Sequence, residues 1–472
     1  MHDRTDFYIG GAWVAPHSSE TIPVINPATE EMIACVPDGG PSDASDAAKA
    51  ARAAFPAWAD TEPKGRADYL IRLCDALEAR SQEIMRLITA ELGMPKSLMP
   101  RVQIANPLVE ARCHAEFARG FSWQETVANS VVLHTPVGVV AAITPWNFPL
   151  GQIMRKIAPA LVAGCTVVLK PSEVTPLTAY LVAETIDEIG LPPGTFNLIT
   201  GRGPTLGEAL VTDPEVDMVS LTGSTRAGRR VAELAGRGIK RVALELGGKS
   251  PVVALDDADL KSVVDAAIAS VTTNSGQVCA ALTRLLVPAD KIREAEMYAV
   301  EAARTYVVGD PESPEVNIGP LVSGPQRQAV LGYIQQGVDE GARLVLDGRE
   351  ESARHERGYY VGPTVFSDVT PGMTIEREEI FGPVLSIIGY ESEADAVAIA
   401  NGTQYGLSGA VWSADAGRAR RFAQRLESGQ VSINGGGFNP AAPFGGVKRS
   451  GIGRENGRYG FEEFLITKSL QF

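Results

Sequence analysis

Cys279 lies in NSGQVCAALTR, residues 274–284, a run of small and polar residues with Gly276 three positions before it. A thiol in such a run is either a small core residue or a nucleophile, since a thiolate is accessible near neutrality from an unperturbed pKa of about 8.5. A nucleophile needs a base, and it needs a donor for the charge that its attack creates. Glu245 precedes the two glycines of ELGGKSP (245–251), which leave room for a carboxylate to move. Asn147 stands between Pro145 and Pro149 in ITPWNFP (143–149). The prolines stiffen that loop, and a rigid amide can donate a hydrogen bond to an oxyanion. Each has a plainer reading: an Asn that bonds its own turn, or a Glu that is only a surface charge.

Three further stretches suit a dinucleotide. In LTGSTRAG (221–228), Gly223 and Gly228 bracket four residues, which is neither the GxGxxG fingerprint nor a Walker loop. Ser224 and the free amides of a helix start can nonetheless face a pyrophosphate, or form a simple cap. In LKPSEVTP (169–176), Lys170 and Glu173 follow a strand and can hold ribose hydroxyls. A carboxylate there repels a 2′-phosphate, which favours NAD over NADP. In EEIFGP (378–383), an extended backbone puts Glu379 and Phe381 on one face. There one accepts from a ribose while the other packs on a ring. The Gly-rich, basic PFGGVKRSGIGRE (443–455) has the composition of a phosphate loop, but it lies far beyond the first sheet and reads as a structural loop or a subunit contact.

The elements that must position these residues alternate. YIGGAWVAP starts as a hairpin, and two helical patterns follow over 42–59, capped by Ser42 or Asp43, and 64–93, ending at Gly93. From 137 onward, strands at 137–144, 165–170, 196–200, 216–223 and 241–248 alternate with helices at 151–164 and 175–190. A second alternating block runs from 251–255 to 431–434, and the chain ends in the apolar strand EFLITKSLQF, which could pair with another chain. Alternation of this kind implies right-handed crossovers and parallel sheets, an α/β protein with ligands beyond the carboxyl ends of the strands.

At 472 residues the chain has room for two to four domains. A net charge of −14 argues against a nucleic-acid partner and against an anionic membrane surface. No apolar stretch is long enough to span a bilayer, and MHDRTDFYIGG has no signal-peptide core. Five cysteines without a CxxC fit reduced thiols in the cytoplasm, and Cys35, Cys74, Cys113 and Cys165 read as core. None of the five histidines lies near the motifs, so a Cys-His or Ser-His hydrolase finds no obvious base, and no metal-ligand cluster is seen. Phe148, Met154, Trp412 and Phe438 are candidates for an apolar substrate funnel, or for core.

In combination and order, ITPWNFP, LKPSE, LTGSTRAG, ELGGKS, NSGQVC, EEIFGP and PFGGVKRSGIGRE resemble the aldehyde dehydrogenase superfamily, from the YIGGAW start to the last strand. The resemblance implies Cys279 as nucleophile, Glu245 as general base and Asn147 as the side-chain oxyanion donor. It implies Lys170 and Glu173 at the adenosine ribose, Gly223 and Ser224 at the pyrophosphate, and Glu379 with Phe381 at the nicotinamide ribose. Ile143, Trp146 and Leu246 complete the cofactor set. Ala280 stands where relatives often carry Cys, Thr or Ser. The implied fold has a Rossmann-like NAD-binding domain over 1–116 and 137–247 and an α/β catalytic domain over 248–440. A small β oligomerisation element over 117–136 and 441–472 completes a homodimer or homotetramer. The implied activity is NAD-dependent oxidation of an aldehyde to the acid through a thiohemiacetal and a thioester on Cys279, with Glu245 activating the hydrolytic water. An acylating enzyme that passes the acyl group to coenzyme A is an alternative within the superfamily. A non-catalytic structural or binding relative is another.

Overall fold

The computed structural model describes residues 4–472. His2 and the start of the N-terminal stretch lie outside the described residues. Two sheets carry the site. The first has eight strands in the order Gly451–Ile452, Arg241–Glu245, Met218–Thr222, Val139–Ile143, Thr166–Lys170, Phe196–Leu198, Phe7–Ile9 and Ala12–Val14. The strands from Arg241–Glu245 to Phe196–Leu198 are parallel. VVAAI, TVVLK and MVSLT are dominated by apolar residues because helices cover both faces, and nearly every residue in them is buried. Helices Pro63–Ala79, Asn106–Gly120, Pro149–Ala163 and Leu177–Glu188 pack one side. Pro41–Ala59 and Thr225–Arg237 pack the other.

The second sheet has seven strands and is parallel except at its Arg343–Leu346 edge. Its central strands Ser250–Ala254 and Leu282–Pro288 flank the helix Leu260–Thr272 in sequence. Cys279 therefore lies on the link between that helix and the next strand. A third sheet joins Leu465–Gln471 to Ser130–Pro136, and Ser130–Pro136 to Gln124–Val127. The tail strand is thus paired on one edge within its own chain.

Local details differ from the sequence reading in three places. The helical pattern over 64–93 is two helices, Pro63–Ala79 and Ser81–Leu92. Arg80 leaves helical geometry between them and bonds Glu83 and Glu184, each at 2.9 Å. The first long helix is capped at Gly40, with Pro41 in the first turn and Asp43 accepting from the Gly40 amide at 2.8 Å. Cys74 and Cys165 are core, whereas Cys35 and Cys113 are only half-buried.

Candidate active site

A cleft with about 700 Å³ of empty space opens at the carboxyl ends of the first sheet's strands, where the second sheet faces them. Pro145, Trp146 and Asn147 follow the strand Val139–Ile143. Thr222, Gly223 and Ser224 end the strand Met218–Thr222 and start the helix Thr225–Arg237. Leu246 and Gly247 follow Arg241–Glu245, and Cys279, Gln326, Glu379 and Phe381 come from the second sheet's side. Of the residues singled out in the sequence, Cys279, Asn147, Trp146, Gly223, Ser224, Leu246, Glu379 and Phe381 meet here. Glu245, Ile143, Lys170 and Glu173 do not line this cleft.

The Cys279 loop is built on left-handed backbone. Asn274, Ser275 and Gly276 are all left-handed, with φ of 49°, 56° and 77°. A Cβ on Gly276 would lie 2.2 Å from the Gly382 carbonyl group, so only glycine lets this loop pack against the Glu379–Phe381 segment. Ser275 Oγ donates to the Gly319 carbonyl at 2.8 Å, and the Val322 amide donates to Gln277 Oε1 at 2.9 Å. Burial pushes the Cys279 thiol up to about 12; Glu379 adds to this and Arg155 opposes it.

Asn147 does not bond its own turn. Its Nδ2 donates to the carbonyl of Gln277, 3.0 Å away and two residues before Cys279. Ser224 does cap its helix, accepting from the Ala227 amide at 3.2 Å, and also lines the cleft. Lys170 and Glu173 pair at 3.2 Å just past Thr166–Lys170, with Lys170 buried.

Glu379 folds back on the ELGGKS turn. Its Oε1 accepts from the Gly248 amide at 3.1 Å, and a Cβ on Gly247 would sit 1.9 Å from Oε2. Burial raises Glu379 to about 7, opposed by that amide and by Lys249. Phe381 is not extended as the sequence suggested: its φ is 57°, and its carbonyl is held by Gln326 Nε2 at 3.0 Å. Its ring stands edge-on to Trp146, centroids 5.2 Å apart. Both Glu379 and Phe381 still reach the cleft, because the turn supplies what strand alternation would have supplied.

Glu245 is buried at the end of its strand, and neither carboxylate oxygen has a hydrogen-bond partner among the described residues. Burial raises it well above the ordinary range and Glu455 pushes it further, while Lys156, Arg454 and Arg155 pull it down. These neighbours correct the reading of PFGGVKRSGIGRE as only a structural loop or contact. Gly451–Ile452 adds a strand beside Arg241–Glu245, which carries Arg454 and Glu455 to Glu245. His114 is likewise closer than the sequence suggested, buried within reach of the Glu455 charge. Among the funnel candidates, Met154 is core, Trp412 packs beside Gly435, and Phe438 is exposed. Phe148 heads the helix Pro149–Ala163.

Sequence reasoning missed Thr222, Gln326, Arg155, Lys156 and Glu455. Thr222 lies inside LTGSTRAG but was not singled out. Gln326 opens a helix with no motif around it, and the other three acquire meaning only from neighbours distant in the chain.

The model of the aldehyde dehydrogenase family matches residues 13–470. The chain belongs to that family. This aldehyde dehydrogenase is 47% identical over 476 residues to the 3-succinoylsemialdehyde-pyridine dehydrogenase of a Pseudomonas species, covering 100% of this chain and 99% of the relative. Its fold matches aldehyde dehydrogenase C of Pseudomonas syringae, solved as a cysteine-to-alanine variant with NAD+ and octanal. That match has a TM-score of 0.98 at 45% identity and covers 99% of this chain and 96% of that one. The NAD+ complex of the Mycobacterium tuberculosis aldehyde dehydrogenase matches with a TM-score of 0.97 at 41% identity, covering 100% and 98% of the two chains. The dehydrogenase has the mixed α/β fold with Rossmann-like parallel sheets expected from its sequence. Among the described residues, no helix is long and apolar enough to cross a membrane, and no cluster of His, Cys, Asp and Glu could hold a metal.

Proposed function

We propose that this protein oxidises an aldehyde to the carboxylic acid with NAD, through a thiohemiacetal and then a thioester on Cys279. One observation carries the reading. Cys279 and Asn147 share a cleft with Gly223, Ser224, Glu379 and Phe381, and a buried Glu245 lies one residue from the cleft-lining Leu246. The residues present fit a dinucleotide. The turn at Gly223 and Ser224 offers helix-start amides to a pyrophosphate. Gly247 lacks the Cβ that would displace Glu379, so the carboxylate can accept from ribose hydroxyls, and Phe381 and Trp146 flank it. Bound NAD supplies the hydride acceptor.

The protein's own groups do the rest. The Cys279 thiol gives up its proton to solvent, and the thiolate attacks the carbonyl carbon. One Asn147 N–H is held by Gln277, which leaves the second N–H for the new oxyanion, beside the Cys279 amide. Collapse of the alkoxide leaves an acyl group on Cys279. Glu245 takes a proton from water as that thioester is hydrolysed, and its raised pKa makes it a stronger base than an ordinary carboxylate. A buried carboxylate in this place supports water over coenzyme A as the acyl acceptor.

Near Cys279, Arg155 is bound in bidentate fashion by Glu110, at 2.7 and 3.1 Å, and lies 5.4 Å from the Phe444 ring and 5.9 Å from the Phe438 ring. With its charge matched by Glu110, Arg155 offers no free cation to a substrate carboxylate, which supports aldehydes with uncharged tails. The Lys170–Glu173 pair supports NAD over NADP. We divide the chain into an NAD-binding part (1–116 and 137–247), a catalytic part (248–440) and an assembly element (117–136 and 441–472). The exposed strand Leu465–Gln471, with Ile466 and Leu470 on it, supports a homodimer or homotetramer. Reduced thiols support a cytoplasmic location.

The test is NADH formation across short aliphatic, long aliphatic, aromatic and carboxylate-ended aldehydes. Turnover without coenzyme A is expected, with carboxylate-ended members poorest. No turnover on any member, or a strict need for coenzyme A, would reverse the assignment.

A further inference from the structure

Asn274 lies outside the cleft lining, is almost wholly buried, and belongs to the second sheet's side of the molecule. Its side chain nevertheless crosses to the first sheet's loop. Asn274 Nδ2 donates to the main-chain carbonyl of Asn147 at 2.9 Å and approaches the carbonyl of Gln277 at 3.4 Å. Asn147 Nδ2 donates to that same Gln277 carbonyl at 3.0 Å. Every partner in this arrangement is a carbonyl oxygen, so both amide groups must face it with nitrogen.

The Asn147 loop and the Cys279 loop are therefore stitched twice: by the Asn147 side chain to Gln277, and by the Asn274 side chain to the Asn147 backbone. Gln277 holds the near end of the stitch. Its Nε2 donates to the Asn274 carbonyl at 3.0 Å, and its Oε1 takes the Val322 amide. Gln103 Nε2 also approaches the Asn147 carbonyl, at 3.4 Å, a longer contact from the first sheet's own side. The left-handed backbone of Asn274, φ 49° and ψ 38°, is tolerated by Asn better than by most residues, and it aims the side chain back toward Asn147.

We propose that Asn274 is a positioning residue for oxyanion stabilisation: it fixes the Asn147 amide relative to the Cys279 sulfur, across the junction of the two sheets. The proposal rests on Asn147 acting as the oxyanion donor. Preorganised donors work only at the position the charge will occupy, and a shift of about 1 Å at a reacting centre can cost on the order of a hundredfold.

The experiment is a double-mutant cycle on the full-length protein, read by single-turnover NADH formation. Asn274→Gly keeps the left-handed backbone and removes the donor. Asn274→Asp keeps the size and sets an acceptor against two carbonyl oxygens. Asn274→Gly is expected to slow NADH formation about 10- to 100-fold, and Asn274→Asp more. The Kd for NAD and the rate of iodoacetamide alkylation of Cys279 are expected to stay within about threefold of wild type, since neither uses the oxyanion donor. In an Asn147→Ala background, Asn274→Gly is expected to add almost nothing.

Full-rate NADH formation in both Asn274 variants would overturn the proposal, as would multiplicative losses in the double variant or a parallel loss of alkylation. Should Asn274→Gly unfold, Asn274→Asp alone, compared with and without Asn147→Ala, decides by the same criterion. Asn147→Ala at full rate would remove the oxyanion reading itself, and this proposal with it. Asn147→Ala slow beside both Asn274 variants at full rate removes only the proposal.

Discussion

Lys156 and Glu455, 299 positions apart in the chain, form a buried ion pair at 2.9 Å within electrostatic reach of Glu245. Lys156 also donates to Ser220 Oγ at 3.2 Å, on the strand whose next inward residue, Thr222, lines the cleft. The pair sets opposing charges beside the proposed base: Glu455 raises its pKa and Lys156 lowers it.

Deacylation should therefore rise with pH across a range well above that of an ordinary carboxyl, because Glu245 takes a proton only after losing its own. Glu245→Gln should lower steady-state turnover about 10²–10⁴-fold and leave an acyl adduct on Cys279 visible by mass spectrometry. Lys156→Met should move the rising limb to higher pH. An unmoved limb would mean that the pair does not tune the base.

Cys279→Ala should bring NADH formation to background while NAD still binds, as measured by fluorescence titration. Residual turnover near the wild-type rate would remove covalent catalysis from the account.

The Glu379 carboxyl is raised to about 7 by burial, so its proposed role at the ribose should give NAD binding a pH dependence. If ribose hydroxyls are accepted by the ionised form, protonation competes with binding. Kd should be flat above that pKa and rise about tenfold per pH unit below it. Glu379→Gln should bind weakly and show no such slope. A slope of the opposite sign in the wild type contradicts this role.

Glu173→Ser should narrow the preference for NAD over NADP, read as the ratio of kcat/KM for the two cofactors. A wild-type enzyme that uses both equally would refute the assignment of Lys170 and Glu173 to the adenosine ribose.

Arg284 is wholly buried; it donates to the carbonyls of Lys249, Ile399 and Ala400 at 2.7–2.9 Å and to Glu376 at 3.1 Å. Arg284→Met should cost about 3–5 kcal/mol in denaturant unfolding, because it strands the Glu376 charge and three carbonyls. A loss below about 1 kcal/mol would show that this network relaxes freely.

Some of this was legible in the chain alone. Short-range patterns determined the alternating strands and helices, the strand-turn-helix at Ser224, the glycines of ELGGKS and the small-residue loop around Cys279. Local sterics and hydrophobic periodicity act over a few residues, and so are written in consecutive letters. The break at Arg80 escaped because Arg80 is held partly by Glu184, about a hundred positions away. The turn at Phe381 escaped because Gln326 holds it.

The tertiary structure alone decided which groups surround Glu245 and how Asn147 is aimed. The charges of Lys156, Arg155 and Glu455 reach Glu245 only because a short strand near the C-terminus docks beside Arg241–Glu245 and helix Pro149–Ala163 packs on the same sheet. The Asn147 amide is fixed by carbonyls and amides of a loop more than a hundred residues downstream. Electrostatic shifts and hydrogen-bond directions depend on distance in space and on the exclusion of water, and neither is encoded at any single position of the sequence.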